Sequence, residues 1–241
     1  MTVHRSVFVT GGNRGIGLAT ARAFAELGDR VAITYRSGEP PAGFTAAGGL
    51  AVRCDVTDPE QLEQAYQLIE ERHGPVEVLV ANAGITRDAL LLRMSDEELA
   101  AVLDANLTGV FRTVRRALRP MVRARQGRIV LVSSVVALHG AAGQTNYAAS
   151  KAALVGLARS LVRELGPRGI TCNVVAPGLV DTDMTGALPD AQRAAMIDGI
   201  PLGRSARPEE IAGVIRFLAS ARAGYLTGAV IPVDGGSGLG F

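Results

Sequence analysis

The sequence predicts an α/β fold: a single Rossmann-like, doubly wound parallel sheet of about seven strands. Three observations predict it. Short segments rich in Val and Ile alternate with longer stretches of helical period. The short segments are apolar nearly throughout, as parallel strands covered on both faces must be. A glycine-rich turn stands between the first short segment and the first helical one.

Along the chain, Ser6–Thr10 reads as the first strand and Ile16–Leu27 as the helix beyond the glycine turn. Val31–Tyr35 is the second strand. Between Ser37 and Gly49, Pro40, Pro41 and the glycines argue for a loop where a helix is otherwise due. Leu50–Cys54 is the third strand. Asp58 as N-cap and Pro59 at the first helical position open a helix that runs to Arg72. Val76–Ala81 is the fourth strand. Ser95 and Glu98 form a capping box at the head of one long helix, Asp96–Arg125. Arg128–Ser133 is the fifth strand, Ala148–Leu165 a helix, and Ile170–Ala176 the sixth strand. Gly186, Pro189, Gly199, Pro201 and Gly203 mark 179–205 as a long segment beside the strand ends, expected to act as a substrate lid. Pro208–Ala219, led in by Arg207, is the last helix and Ala229–Val233 the last strand. Right-handed crossovers bring all strand carboxyl ends to one edge, which receives Thr10, Tyr35, Asp55, Asn82, Ser134 and Pro177. With no internal repeat and no linker, residues 1–241 are expected to form one domain.

Composition narrows the function classes. Hydrophobic residues at 48% and charged residues at 20% exclude a disordered chain. No apolar run approaches the roughly 18 residues a membrane helix needs. The first residues lead straight into a strand with no signal-peptide core, so the cytoplasm is the expected compartment. Cys54 and Cys172 lie in apolar segments and read as reduced core residues. Three scattered histidines give no metal site, and a net charge of +2 does not imply nucleic acid. Of 25 basic residues, Lys151 is the only lysine. A site that needs a compact charge with a tunable pKa cannot take arginine, and that marks Lys151.

The turn Thr10-Gly11-Gly12-Asn13-Arg14-Gly15-Ile16-Gly17 lies between a strand and a helix, the setting of a phosphate-binding loop. Its glycines permit close approach to a pyrophosphate, and the helix beyond offers free N–H donors. Its spacing differs from the G-x-G-x-x-G fingerprint. The second strand ends Thr34-Tyr35-Arg36, without the acid that would take a ribose 2′-hydroxyl. Arg36 and Arg14 together suit a 2′-phosphate, which predicts NADPH rather than NADH.

Tyr147 and Lys151 are one helical turn apart and share a face, and Ser134 ends the preceding strand. A phenol of pKa about 10 is a poor proton donor at neutral pH. An ammonium about 4 Å away, at an effective dielectric of about 20, contributes about 4 kcal/mol, or about three pKa units. Lys151 is therefore expected to pull the Tyr147 phenol towards neutrality. Ser133 directly precedes Ser134, and which of the two hydroxyls acts is open from the residues alone. Asn106 interrupts the apolar stripe Leu99, Val102, Leu103, Val110, Phe111, and either a site role or satisfaction by nearby backbone accounts for it.

These motifs, with Asn82-Ala83-Gly84, Tyr147-Ala-Ala-Ser-Lys151 and Pro177-Gly178, resemble the short-chain dehydrogenase/reductase family from about Arg5 to Gly236. Gln144 to Lys151, Asn173 to Gly178, Asp181 to Thr185 and Gly228 to Gly236 are similar to its 3-oxoacyl-(acyl-carrier-protein) reductases of type II fatty acid synthesis, in particular mycobacterial-type members. The resemblance implies reduction of a 3-oxoacyl thioester by NADPH. It implies Ser134 on the substrate carbonyl, Tyr147 as proton donor, Lys151 on the nicotinamide ribose, and Asn106 positioning a water that feeds protons to Lys151. It implies Gly11, Asn13, Arg14, Gly15, Ile16, Gly17, Arg36, Asp55, Val56, Asn82, Ala83, Gly84, Tyr147, Lys151, Pro177, Gly178, Val180 and Thr182 along the cofactor. Asp55 and Val56 would meet the adenine, and Asn82 would brace the ribose side. His139 stands where close relatives carry a bulky apolar residue in the acyl-pocket wall.

Arginines 112, 115, 116, 119, 123, 125 and 128 crowd the end of the long helix, with Arg163 and Arg168 at the end of the next. Such a patch suits an acidic acyl carrier protein, a solvated helix face or an interface between subunits, and for the carrier the resemblance points to Arg125 and Arg168 as the contact. It also implies a homotetramer paired through the two long helices, and the apolar end Gly238 to Phe241 is expected to pack on a neighbouring copy. Reduction of acetoacetyl-coenzyme A, a polyketide or another carbonyl stays open within the family. A cofactor-sensing module without chemistry would lack Tyr147 or Lys151.

Overall fold

A computed structural model describes residues 4–186 and 189–238. Its sheet has strands β1 (Ser6–Val9), β2 (Arg30–Tyr35), β3 (Leu50–Arg53), β4 (Val78–Ala81), β5 (Gly127–Val132), β6 (Ile170–Pro177) and β7 (Val230–Val233). They stand in the order β3-β2-β1-β4-β5-β6-β7. Every neighbouring pair is parallel. The expected seven-stranded doubly wound sheet is the observed one.

The helices are α1 (Gly15–Ala25), α2 (Ala42–Ala46), α3 (Pro59–His73), α4 (Asp96–Leu103), α5 (Gly109–Ala124), α6 (Val136–His139), α7 (Thr145–Leu165), α8 (Asp183–Gly186), α9 (Asp190–Asp198) and α10 (Pro208–Leu218). One face of the sheet packs Val9, Ile33 and Val80 against Phe24 of α1 and Ile211 and Ile215 of α10. The other packs Phe8, Leu79 and Leu131 against Tyr66 of α3, Met121 of α5 and Leu154 of α7. Both faces of each central strand are covered, which is why their sequences lack polar alternation. The strand order reverses between β1 and β4, and a crevice opens there beyond the carboxyl ends.

Two expectations need correction. The long helix Asp96–Arg125 is broken: α4 and α5 are joined by a π turn, Asp104–Thr108. The Gly109 amide returns to the Asp104 carbonyl, five residues back, and the widened turn carries Asn106 inward. The loop Ser37–Gly49 contains α2, held down by Phe44, which is buried against the sheet and under Gly49. The segment 179–205 carries a bridge from Val180 to Ala206 and the short helices α8 and α9. Residues 187–188 of that segment, and 239–241 of the tail expected on a neighbouring copy, lie outside the described residues.

Candidate active site

The glycine turn is shaped by close backbone approach. Gly11 and Gly15 have φ of 63° and 51°. A Cβ on Gly17 would stand 2.2 Å from the Gly11 carbonyl, so only glycine fits. Asn82, just past β4, holds the turn from below. Its Nδ2 donates to the carbonyls of Thr10 at 3.0 Å and Gly11 at 2.9 Å. The Thr10 hydroxyl accepts in return from the amides of Asn82 and Ala83, both at 3.1 Å. Helix α1 starts at this turn with no side-chain cap and no acid in its first turn. An uncapped N-terminus at the crevice leaves amide donors and the positive end of the helix dipole for an anion. Thr182 lies over the turn: a Cβ on Gly15 would stand 3.1 Å from its Cγ2.

The cleft above the switch point encloses about 460 Å³. Every residue expected along the cofactor lines it, from Gly11 through Arg36, Asp55, Asn82 and Lys151 to Thr182. Asn13 ties the glycine turn to the end of β2 through the Ser37 carbonyl at 3.2 Å. Arg14 and Arg36 are exposed there, and the Arg36 guanidinium stands 4.0 Å from the Asp55 carboxylate. Asp55 is fixed by the amide and hydroxyl of Thr57 at 3.0 and 2.8 Å. The cleft also takes in Thr34, Asp183 and Thr185, and with them Ile85, Ala105 and Val132, which sequence reading did not single out. Ile85, Ala105 and Val132 carried no signal of their own, because they supply wall and backbone rather than a distinctive functional group. His139 is not in the lining; it is exposed at the end of α6, with Nδ1 on the Gly140 carbonyl at 2.9 Å.

At the far end of the cleft, the first two turns of α7 present Tyr147 and Lys151. Lys151 is buried, and its Nζ donates to the Val132 carbonyl at 2.8 Å. That nitrogen stands 5.8 Å from the centre of the Tyr147 ring. Burial lowers the Lys151 pKa to about 8. The Tyr147 phenol is pushed above its ordinary value by burial, while the Ser134 hydroxyl facing it pulls downward and the Asp88 carboxylate adds a smaller upward push. The expectation that Lys151 makes this phenol acidic is therefore corrected. The ammonium is turned to a backbone carbonyl, and the loss of water around the phenol sets the direction of its shift.

Two serines end β5, and the structure separates them. Ser133 is buried, and its hydroxyl donates to the Lys151 carbonyl at 2.9 Å. Ser134 accepts from the Val136 amide at 3.2 Å and lines the cleft together with Tyr147. Asn106 stands behind the cleft rather than in it. Its Oδ1 accepts from the Ile85 amide at 2.8 Å, and its Nδ2 donates to the Ile85 carbonyl and the Ser150 hydroxyl, each at 3.0 Å. Ser150 passes the link on to the Tyr147 carbonyl at 2.7 Å. Asn106 braces the tyrosine turn through these bonds. Gly84 fits between, since a Cβ there would stand 3.0 Å from Asn106 Oδ1 and 3.2 Å from Lys151 Nζ.

The sequence comparisons agree with this geometry. A family model described as Enoyl-(Acyl carrier protein) reductase matches residues 11–238. A 3-oxoacyl-(acyl-carrier-protein) reductase, MabA, of Mycobacterium bovis is 51% identical over 238 residues, covering 99% of this chain and 94% of the relative. The corresponding FabG reductases of Vibrio cholerae and Escherichia coli are each 46% identical over 231 residues, covering 95% of both chains. With the matched family model, the parallel sheet and the Ser134, Tyr147 and Lys151 side chains at one end of its crevice, the chain belongs to the short-chain dehydrogenase/reductase family of oxidoreductases.

Proposed function

We propose that the chain reduces 3-oxoacyl thioesters on acyl carrier protein to 3-hydroxyacyl thioesters with NADPH, as a step of fatty acid synthesis. The observation that carries this reading is one continuous cleft. An uncapped helix N-terminus stands at one end, and a serine hydroxyl facing a protonated phenol at the other. Relatives of 46% and 51% identity that bear this activity in their names support it.

The residues fit a dinucleotide. Glycines at 11, 15 and 17 leave room that a side chain would fill, and the first amides of α1 would take the pyrophosphate. No acid ends β2, and Arg14 and Arg36 flank the place where a 2′-phosphate would lie, which favours NADPH. Bound NADPH supplies the hydride that attacks C3 of the substrate. Ser134 and Tyr147 hold the carbonyl oxygen by hydrogen bonds that strengthen as negative charge builds there. Tyr147 Oη then gives its proton to that oxygen as the π pair settles on it, and a hydroxyl forms at C3. The phenol is protonated at neutral pH, as a donor must be, and the negative charge building on the substrate oxygen draws the proton across. Lys151 Nζ, next to the phenol, orients the ribose and returns a proton to Tyr147.

Arg125 and Arg168 form the carrier contact in this reading. The Arg125 guanidinium bonds the Pro167 carbonyl at 2.8 Å, which sets it beside Arg168 on one exposed corner. The segment 179–205 serves as the lid of this one domain, and the chain works as a homotetramer. NADPH consumption with carrier-bound 3-oxoacyl chains, their coenzyme A analogues and cyclic ketones, run side by side, tests the reading. Carrier-bound substrates should give the highest kcat/KM. Preference for a cyclic ketone would overturn the assignment.

A further inference from the structure

We propose that Ser133 is a positioning residue: its hydroxyl ties the end of β5 to the Lys151 carbonyl and so sets where α7 presents Tyr147 and Lys151 to the cleft. The inference rests on the reductase reading above and adds a residue to its machinery.

The three consecutive residues 132, 133 and 134 each engage α7 in a different way. The Val132 carbonyl accepts from Lys151 Nζ at 2.8 Å. The Ser133 hydroxyl donates to the Lys151 carbonyl at 2.9 Å. The Ser134 hydroxyl faces the Tyr147 phenol. Lys151 is thus gripped at both its backbone and the tip of its side chain by adjacent positions of one strand. Ser133 is a firm anchor for this. It is buried, and its own amide is held to the Val175 carbonyl of β6 at 2.7 Å.

The bond is not needed to satisfy the helix. A carbonyl inside an α-helix already accepts the amide four residues on, so Lys151 gains a second donor from the sheet. On the other side, Ser150 donates to the Tyr147 carbonyl at 2.7 Å and accepts from Asn106. The turn from Tyr147 to Lys151 is pinned by two hydroxyls, and Ser133 provides the link to the sheet that carries Ser134. A displacement of about 1 Å in such a constellation costs up to about a hundredfold in rate.

The solitary lysine makes this directly observable. Protein labelled with 13C at lysine Cε gives one side-chain resonance, from Lys151, with Lys151→Met as the assignment control. Ser133→Ala, studied without cofactor, should move that resonance and raise its titration midpoint from about 8 towards the ordinary lysine value. The same variant should lose about tenfold in kcat while substrate KM and NADPH Kd stay within about twofold. Ser133→Thr and Ser133→Val have the same shape and differ in the hydroxyl. Thr should behave as the parent and Val as Ala, which keeps the test intact if Ala packs badly. An unmoved lysine resonance in Ser133→Ala, or Thr and Val variants that behave alike, would overturn the proposal. If the parent reduces no 3-oxoacyl thioester, the functional reading falls, and the lysine resonance still decides the role of Ser133.

Discussion

Lys151 Nζ donates to the Val132 carbonyl at 2.8 Å inside the sheet–helix interface, and the chain's only lysine has no carboxylate partner there among the described residues. Its pKa falls from 10.5 to about 8 because burial disfavours the ammonium. Between those values the unfolded chain holds more protons than the folded one, so stability rises with pH across this window. Below about pH 8 the full cost is present, on the order of 3 kcal/mol. Lys151→Met is therefore expected to raise Tm at pH 7 while abolishing turnover. The gain over the parent should shrink as pH climbs through 8 towards 10.5. Thermal melts of both proteins from pH 6 to 10 check this, and a less stable variant at pH 7 contradicts it.

In the proposed mechanism the tyrosine carries the proton step, so Tyr147→Phe separates chemistry from binding. The ring remains and the proton is lost. Turnover should fall by about a hundredfold to ten-thousandfold, with NADPH Kd within about twofold of the parent. Stopped-flow turnover and NADPH fluorescence titration read the two quantities. A variant that keeps a tenth of the parent kcat would remove Tyr147 from the reaction.

The sheet and most of the cleft were legible because their signals are local. Val- and Ile-rich runs such as 6–9 and 129–132 report strands, and Gly11, Gly15 and Gly17 report a turn that tolerates no side chain. The break at Asp104–Thr108 was not legible. The residues around Asn106 keep helical composition, and the π turn arises from tertiary bonds to Ile85 and Ser150. Helix α2 was hidden by Pro40 and Pro41, while the burial of Phe44 that holds it depends on the far side of the sheet. The direction of the Tyr147 shift was missed for a related reason. The i to i+4 spacing gives proximity to Lys151, and it says nothing about Nζ turning to Val132 or about the water both groups lose.

In the proposed reading cofactor choice turns on Arg36, whose guanidinium is more than half exposed and has, among the described residues, the Asp55 carboxylate at 4.0 Å as its competing partner. A phosphate dianion would draw it away with ease. Removing one charge-assisted contact of this kind costs about 1.5–3 kcal/mol. Arg36→Ala should thus raise the KM for NADPH by about tenfold to a hundredfold and leave that for NADH nearly unchanged. Steady-state kinetics with both cofactors decide it. An equal rise for the two would place Arg36 outside any 2′-phosphate contact.

Carrier docking gives the last expectation. Arg168 is exposed in the turn that follows α7, and the neighbouring Pro167 carbonyl anchors Arg125, so the pair shares one corner. Arg168→Glu reverses a charge there without touching the core. It should raise the KM for carrier-linked substrate by about tenfold and spare the coenzyme A thioester, since only the carrier presents an acidic surface. The penalty should also weaken as salt shortens the Debye length from about 10 Å at 0.1 M to about 3 Å at 1 M. Parallel kinetics on the two thioesters across that salt range separate docking from damage to the site. An equal loss on both substrates, insensitive to salt, would mean that this corner supports the fold and does not receive the carrier.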